Sequence, residues 1–124
     1  MRKINLNGIF VPHVTPFTRE GELDIEALRT CVRFWVESGV SGLMPCGSNG
    51  EAPYLSRQER RIVIKTVVEE VNGKIPVIAG TGGMSTKQTI AFTKDAEKLE
   101  VDAALIVTPF YFKLTNREIY EHYK

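Results

Sequence analysis

What this sequence has little of narrows it first. It holds two cysteines, Cys31 and Cys46, with neither a Cys-x-x-Cys pair nor paired histidines beside them. That spacing argues against a zinc site and a disulfide frame, and for free thiols in a reducing compartment, so a cytoplasmic location is expected. Charge of neither sign dominates: sixteen basic residues stand against fifteen acidic ones, with no basic stripe and no acidic tail. No nucleic-acid partner is expected. No run approaches the roughly 18 apolar residues that a membrane-spanning helix needs. The opening "MRKINLNGIF" has two basic residues, but Asn5 and Asn7 interrupt any apolar run, so neither a signal peptide nor a membrane anchor is expected. The Gly-x-Gly-x-x-Gly fingerprint of dinucleotide binding is also missing after the first apolar run, and Gly80-Thr81-Gly82-Gly83 is too short to replace it. No cofactor and no metal ligand set is expected.

What is there is a core-forming composition. A hydrophobic content of 43% over 124 residues suits one modest domain, residues 1–124, and is too high for disorder. Short apolar runs alternate with longer amphipathic ones. "GIFVPHVTPF" reads as a brief strand with Pro12 and Pro16 at its irregular end. In "GELDIEALRTCVRFWVESGV", Asp24 caps a helix whose Ile25, Leu28, Val32 and Trp35 or Val36 recur at helical spacing, and Gly39 stops it. "SGLMPCG" is a second strand. "LSRQERRIVIKTVVEEVNG" is a second helix, with Ser56 and Glu59 as a capping box and Asn72-Gly73 as its end. "IPVIAGTGG" and "AALIVTPFYF" give the third and fourth strands. "STKQTIAFTKDAEKLEV" is a helix whose apolar face is expected at Ile90, Ala91, Lys94 and Leu99, and "TNREIYEHYK" begins another, capped at Thr115 or Asn116.

Four such βα units with uniformly apolar strands predict an α/β fold with a buried parallel sheet. Unit length alone, about thirty residues, suits a barrel and a doubly wound sheet equally. Polar or glycine-rich clusters after every strand (Thr15-Pro16, Gly47 to Glu51, Gly80 to Gly83, Thr108 to Tyr111) favour the (β/α)₈ TIM barrel, which builds its site at the carboxyl ends of its strands. A whole barrel takes about 250 residues, so these are four βα units of one, a half-barrel.

Candidate chemistry concentrates in Gly47-Ser48-Asn49-Gly50-Glu51. Two polar side chains and several backbone N–H groups stand there just ahead of a helix, which suits a carboxylate or phosphate. The same residues also make an ordinary tight turn, and spacing alone leaves both readings open. Tyr111 ends an apolar strand, where its hydroxyl could relay a proton or simply cap a packed ring. Phe110, Phe112, Tyr120 and Tyr123 are read as packing, His13 as a hydrogen-bonded core histidine, and His122 as a solvated helix residue. Glu51 is explained by the helix dipole. Neither cysteine has a visible activator.

Taken together, "GIFVPHVTPF", "GLMPCGSNGEAPYLSRQER", "PVIAGTGGMSTKQTI" and "ALIVTPFYF" resemble the N-terminal half of the dihydrodipicolinate synthase and N-acetylneuraminate lyase family over essentially the whole chain. The resemblance implies class I aldolase chemistry. A lysine on the sixth strand forms a Schiff base with pyruvate or another 2-oxo acid, and the imine draws off electrons as a C–C bond forms or breaks. It further implies that Gly47, Ser48 and Asn49 bind the 2-oxo acid carboxylate, with Ser48 also in a proton relay, and that Tyr111 is the relay tyrosine reaching into a neighbouring subunit's site. Asn49 in place of a second hydroxyl resembles the branch with 4-hydroxy-2-oxoglutarate aldolases. Met84 and Gln88, where lysine-regulated synthases carry asparagine and some carry glutamate, imply no lysine feedback. Phe110 replaces the first tyrosine of a pair. The Schiff-base lysine and the second relay tyrosine have no counterpart among residues 1–124, Lys113 included, so this polypeptide alone is expected to be inactive, a truncated lyase. Open sheet edges imply a homo-oligomer or pairing with a C-terminal half-barrel. A non-catalytic half-barrel serving binding or assembly is the alternative.

Overall fold

A computed structural model describes residues 4–124; Arg2 and Lys3 of the opening segment lie outside the described residues. Elements alternate as the apolar pattern predicts: β1 (Phe10–Val11), α1 (Ile25–Glu37), β2 (Gly42–Leu43), α2 (Arg57–Val71), β3 (Ile78–Gly80), α3 (Thr86–Lys98), β4 (Ala103–Leu105) and α4 (Asn116–Tyr123). The helices start where a side chain can satisfy an orphaned backbone donor. The Asp24 carboxylate accepts from the Ala27 N–H at 2.9 Å. Ser56 and Glu59 form a reciprocal capping box on α2, and Thr115 with Glu118 forms a second on α4. At the far end of α2, Asn72 turns left-handed at φ 48°, and the helix stops.

The strands are all parallel and follow one another in space as in sequence. Phe10 pairs with Gly42 and Val11 with Leu43. A single bridge from Leu43 to Val77 then joins β2 to the run leading into β3. Ile78, Ala79 and Gly80 pair with Ala103, Ala104 and Leu105. A doubly wound sheet would reverse direction at a switch point, whereas a barrel adds each strand to the last. The order β1-β2-β3-β4 is therefore barrel-like.

The paired segments are only two or three residues long, much shorter than the apolar runs that carry them. Prolines explain part of this. Pro12 and Pro45 follow β1 and β2 closely, and a residue without an N–H cannot continue a ladder.

The core lies between the sheet and the helix layer: Leu28 and Val32 of α1, Val63, Ile64, Val67 and Val71 of α2, Leu43, Val77 and Ala79 beneath them, and Ala96 of α3. Ion pairs brace the helices outside it. Arg33 Nε meets Glu70 at 2.6 Å and Arg29 meets it at 3.0 Å, joining α1 to α2, while Arg57 holds Asp95 through two bonds of 2.6 and 2.9 Å, joining α2 to α3. Those guanidiniums hold the Glu70 and Asp95 carboxyls below the usual carboxylate range.

Four expectations are corrected. The inward face of α3 is Thr89, Asp95 and Ala96, whereas Ile90 is 50% exposed and Lys94 faces solvent. Hydrogen bonds set that rotation: Thr89 Oγ1 accepts from the Gly83 N–H at 3.0 Å, and Thr93 donates to Thr81 at 2.9 Å. His122 is half-buried rather than solvated, with Nδ1 at 2.9 Å from Thr86 Oγ1. Tyr123 is more than packing, because its hydroxyl donates to the Ile106 carbonyl at 2.8 Å. Phe110 and Phe112 are exposed, as are Ala104 and Leu105 of β4, since nothing among the described residues covers that edge of the sheet.

Candidate functional site

At the carboxyl ends of the strands the chain builds a loop from Met44 to Glu51 and ties it down from both sides. The Met44 N–H donates to the Val11 carbonyl at 2.8 Å, and the Gly80 N–H donates to the Pro45 carbonyl at 2.8 Å. Thr15 Oγ1 donates to the Gly50 carbonyl at 2.8 Å, and Asn49 Nδ2 donates to the Pro12 carbonyl at 3.1 Å. Two residues with side chains, Cys46 at φ 58° and Glu51 at φ 56°, adopt left-handed backbone at either end of the loop. Such conformations cost free energy outside glycine and persist where the surroundings hold them. Gly80 is required for a different reason: a Cβ there would run into the Cys46 carbonyl.

Inside the loop, two bonds make the turn, from the Glu51 N–H to the Ser48 carbonyl at 3.0 Å and from the Ala52 N–H to the Gly47 carbonyl at 3.3 Å. The turn reading is thus correct, and it does not use up the donors. The N–H groups of Gly47, Ser48, Asn49 and Gly50 donate to no group among the described residues, and the exposed Ser48 hydroxyl makes no hydrogen bond there. Asn49 commits one amide hydrogen to Pro12, so part of its side chain works as a tether.

A cavity of about 470 Å³ opens beside this loop, with Gly47 and Ser48 on one wall and Leu105, Ile106, Val107 and Phe110 on another. Arg60 lines it too. Nothing in the sequence reading singled out Arg60, yet a signal existed. It lies three, four and seven residues before Val63, Ile64 and Val67, on the stripe that α2 turns to the core.

Tyr111 does not line the cavity that Ser48 lines. It is 77% exposed and meets Phe112 edge-on at 4.9 Å between centroids. Its neighbour Phe110 does line the cavity. His13 is buried as expected, stacked on Trp35 at 4.9 Å; Nδ1 lies 2.9 Å from the Val14 carbonyl, while Nε2 has no partner among the described residues. Burial lowers its pKa from the ordinary histidine value. Burial also pushes the Cys46 thiol up to about 12, so this cavity-lining sulfur is no thiolate nucleophile. Gln88 accepts from the Met84 N–H at 3.2 Å, and neither residue lines the cavity. Among the described residues no three His, Cys, Asp or Glu side chains gather as a metal site, and no helix is long and apolar enough to cross a membrane.

Comparison with known proteins gives this geometry a context. The Dihydrodipicolinate synthetase family matches residues 5–124. A 4-hydroxy-tetrahydrodipicolinate synthase of Pelagibacter ubique is 50% identical over 117 residues, which are 94% of this chain and 40% of that protein. A crystal structure of the chloride-inhibited dihydrodipicolinate synthase of Acinetobacter baumannii in complex with pyruvate is 41% identical, with a TM-score of 0.93 over 96% of this chain and 41% of that one. The CdNal protein of Clostridium difficile, solved with mannosamine, is 32% identical with a TM-score of 0.92 over 96% of this chain and 41% of its own. The chain thus spans about 40% of the length of the curated relatives it matches. Those relatives carry the name 4-hydroxy-tetrahydrodipicolinate synthase.

Proposed function

Because this chain belongs to the dihydrodipicolinate synthetase family, we propose that residues 1–124 are the N-terminal half of a TIM-barrel domain and carry the carboxylate-binding and proton-relay part of a Schiff-base-forming 2-oxo-acid lyase. One observation carries the reading. The N–H groups of Gly47, Ser48, Asn49 and Gly50 are left free on a loop that is otherwise tied down. A carboxylate accepting from such donors gains charge-assisted bonds, each contributing about 1.5–3 kcal/mol. The donors are fixed before the ligand arrives, so little ordering cost is added on binding.

In this reading Gly47, Ser48 and Asn49 hold the carboxylate of pyruvate or a related 2-oxo acid, and the Ser48 hydroxyl receives and returns the proton that moves as the C–C bond is made or broken. Tyr111 completes the relay from a second subunit; its exposure on the rim supports a role outside its own chain. The imine-forming lysine belongs to sequence beyond the matched region, since no lysine among the described residues lines the cavity. The working enzyme is cytoplasmic, assembled with further barrel strands and with other copies of itself.

Borohydride reduction with pyruvate, read by mass spectrometry, tests this. The 124-residue chain should gain no adduct, while its backbone amide resonances at Gly47 to Gly50 should shift on adding pyruvate and shift less in Ser48→Ala at the same concentration. A covalent adduct on any lysine of this chain, or pyruvate-induced shifts that avoid the loop, would overturn the assignment.

A further inference from the structure

Arg60 is a buried cation without an anion. It is 6% exposed, and among the described residues no carboxylate lies within ion-pair distance of it, in contrast to Arg29, Arg33 and Arg57. What surrounds its guanidinium is neutral. Nη2 donates to the Ala52 carbonyl at 2.8 Å, Nη1 lies 3.4 and 3.5 Å from the Gly80 and Gly82 carbonyls, and the Phe92 ring stacks at 4.3 Å. Nε has no partner among the described residues. Burial depresses its pKa below the ordinary arginine value, a sign that the charge is poorly compensated, and a guanidinium remains protonated nonetheless.

Carbonyl dipoles and a ring face soften the cost of burying this charge without cancelling it. A group that enters with a full negative charge would cancel it, and the place to enter exists. Arg60 lines the same cavity as Ser48 and is the only charged residue in that lining among the described residues. The Arg60 side of this lining is buried, and attraction between unit charges is stronger there than in bulk solvent.

We infer that Arg60 is the fixed positive charge of this cavity, and that it selects small carboxylates over neutral carbonyl compounds of the same shape. The inference rests on the preceding reading only for the identity of the ligand as a 2-oxo acid. Loop amides bind any acceptor oxygen, a charged one more strongly; the guanidinium adds a further preference for net charge. Through the Ala52 carbonyl it also fixes the turn that follows the Ser48 loop.

The experiment compares pyruvate with neutral pyruvamide, titrated into the wild-type chain, Arg60→Gln, Arg60→Lys and Ser48→Ala. Wild type should prefer pyruvate, Arg60→Lys should keep that preference, and Arg60→Gln should lose roughly ten- to a hundredfold for pyruvate, the size of a lost hydrogen bond to a charged group, with pyruvamide unchanged. In wild type the Arg60 Nε–H resonance should move with pyruvate and not with pyruvamide, a readout that does not depend on any variant folding. Equal pyruvate binding by folded Arg60→Gln, or a stationary Arg60 resonance, would overturn the inference while leaving the loop assignment intact if Ser48→Ala still weakens binding. The converse pattern, sensitivity at Arg60 with none at Ser48, would retain the charge and remove the loop. Wild type that binds neither compound overturns both.

Discussion

At the residue scale, the burial of polar groups separates what this chain uses from what it merely tolerates. Among the described residues, Ser48 keeps its hydroxyl free at the cavity, whereas His13, outside that lining, keeps Nε2 free where it stacks on Trp35. His13 therefore has a consequence for stability. Its folded pKa lies below the unfolded value of 6.5, so between those two values the unfolded chain binds the extra proton. Its contribution is present above pH 6.5 and is lost as pH falls through the folded value. The urea midpoint should be level from neutrality up to the ordinary thiol range near 9.0, where the unfolded chain begins to ionise Cys46. It should decline once pH drops below 6.5, well before Glu70 and Asp95, held below 4.5 and 3.8, begin to protonate. A midpoint that stays level until the carboxylate range would show that burial does not suppress this charge. The sequence made His13 legible as a core residue but not Arg60. A histidine inside an apolar run is a local pattern, whereas a cation on a valine stripe is recognised only when its missing counter-charge is seen in space.

At the element scale, the readable features are those whose partners lie within a turn of each other. The caps at Asp24, Ser56 and Thr115 and the stop at Asn72 are short-range chemistry, and sequence spacing locates them. Removing one should cost a corresponding amount: Ser56→Ala should lower the unfolding free energy by about 1 kcal/mol, measured by urea denaturation, because the Glu59 N–H then loses its acceptor. An unchanged midpoint would mean that water replaces the serine fully. Strand length and the roll of α3 were less legible, and for one reason. Phe10 pairs thirty-two positions away with Gly42, and α3 is turned by Thr89 and Asp95 reaching Gly83 and Arg57. The period of apolar residues carries no record of such polar ties.

At the scale of the whole molecule, the edge strand β4 and the segment that follows it leave Leu105, Val107, Phe110 and Phe112 exposed together with Tyr111. Exposed patches of this kind bind partners or dyes. The 124-residue chain by itself should therefore bind a hydrophobic dye or sediment as an oligomer, and a compact monomer that takes up no dye would refute this. The strand order has a further effect. Each strand after β1 is tied, directly or through the run leading into it, to the strand before it in the chain. A ribosome delivers residues from the amino end at about 5–20 per second, far slower than a helix or a short loop closes. Each strand therefore emerges to find its neighbour already waiting, and the Ser48 loop, held between β1 and β3, is finished as soon as the third strand clears the exit tunnel.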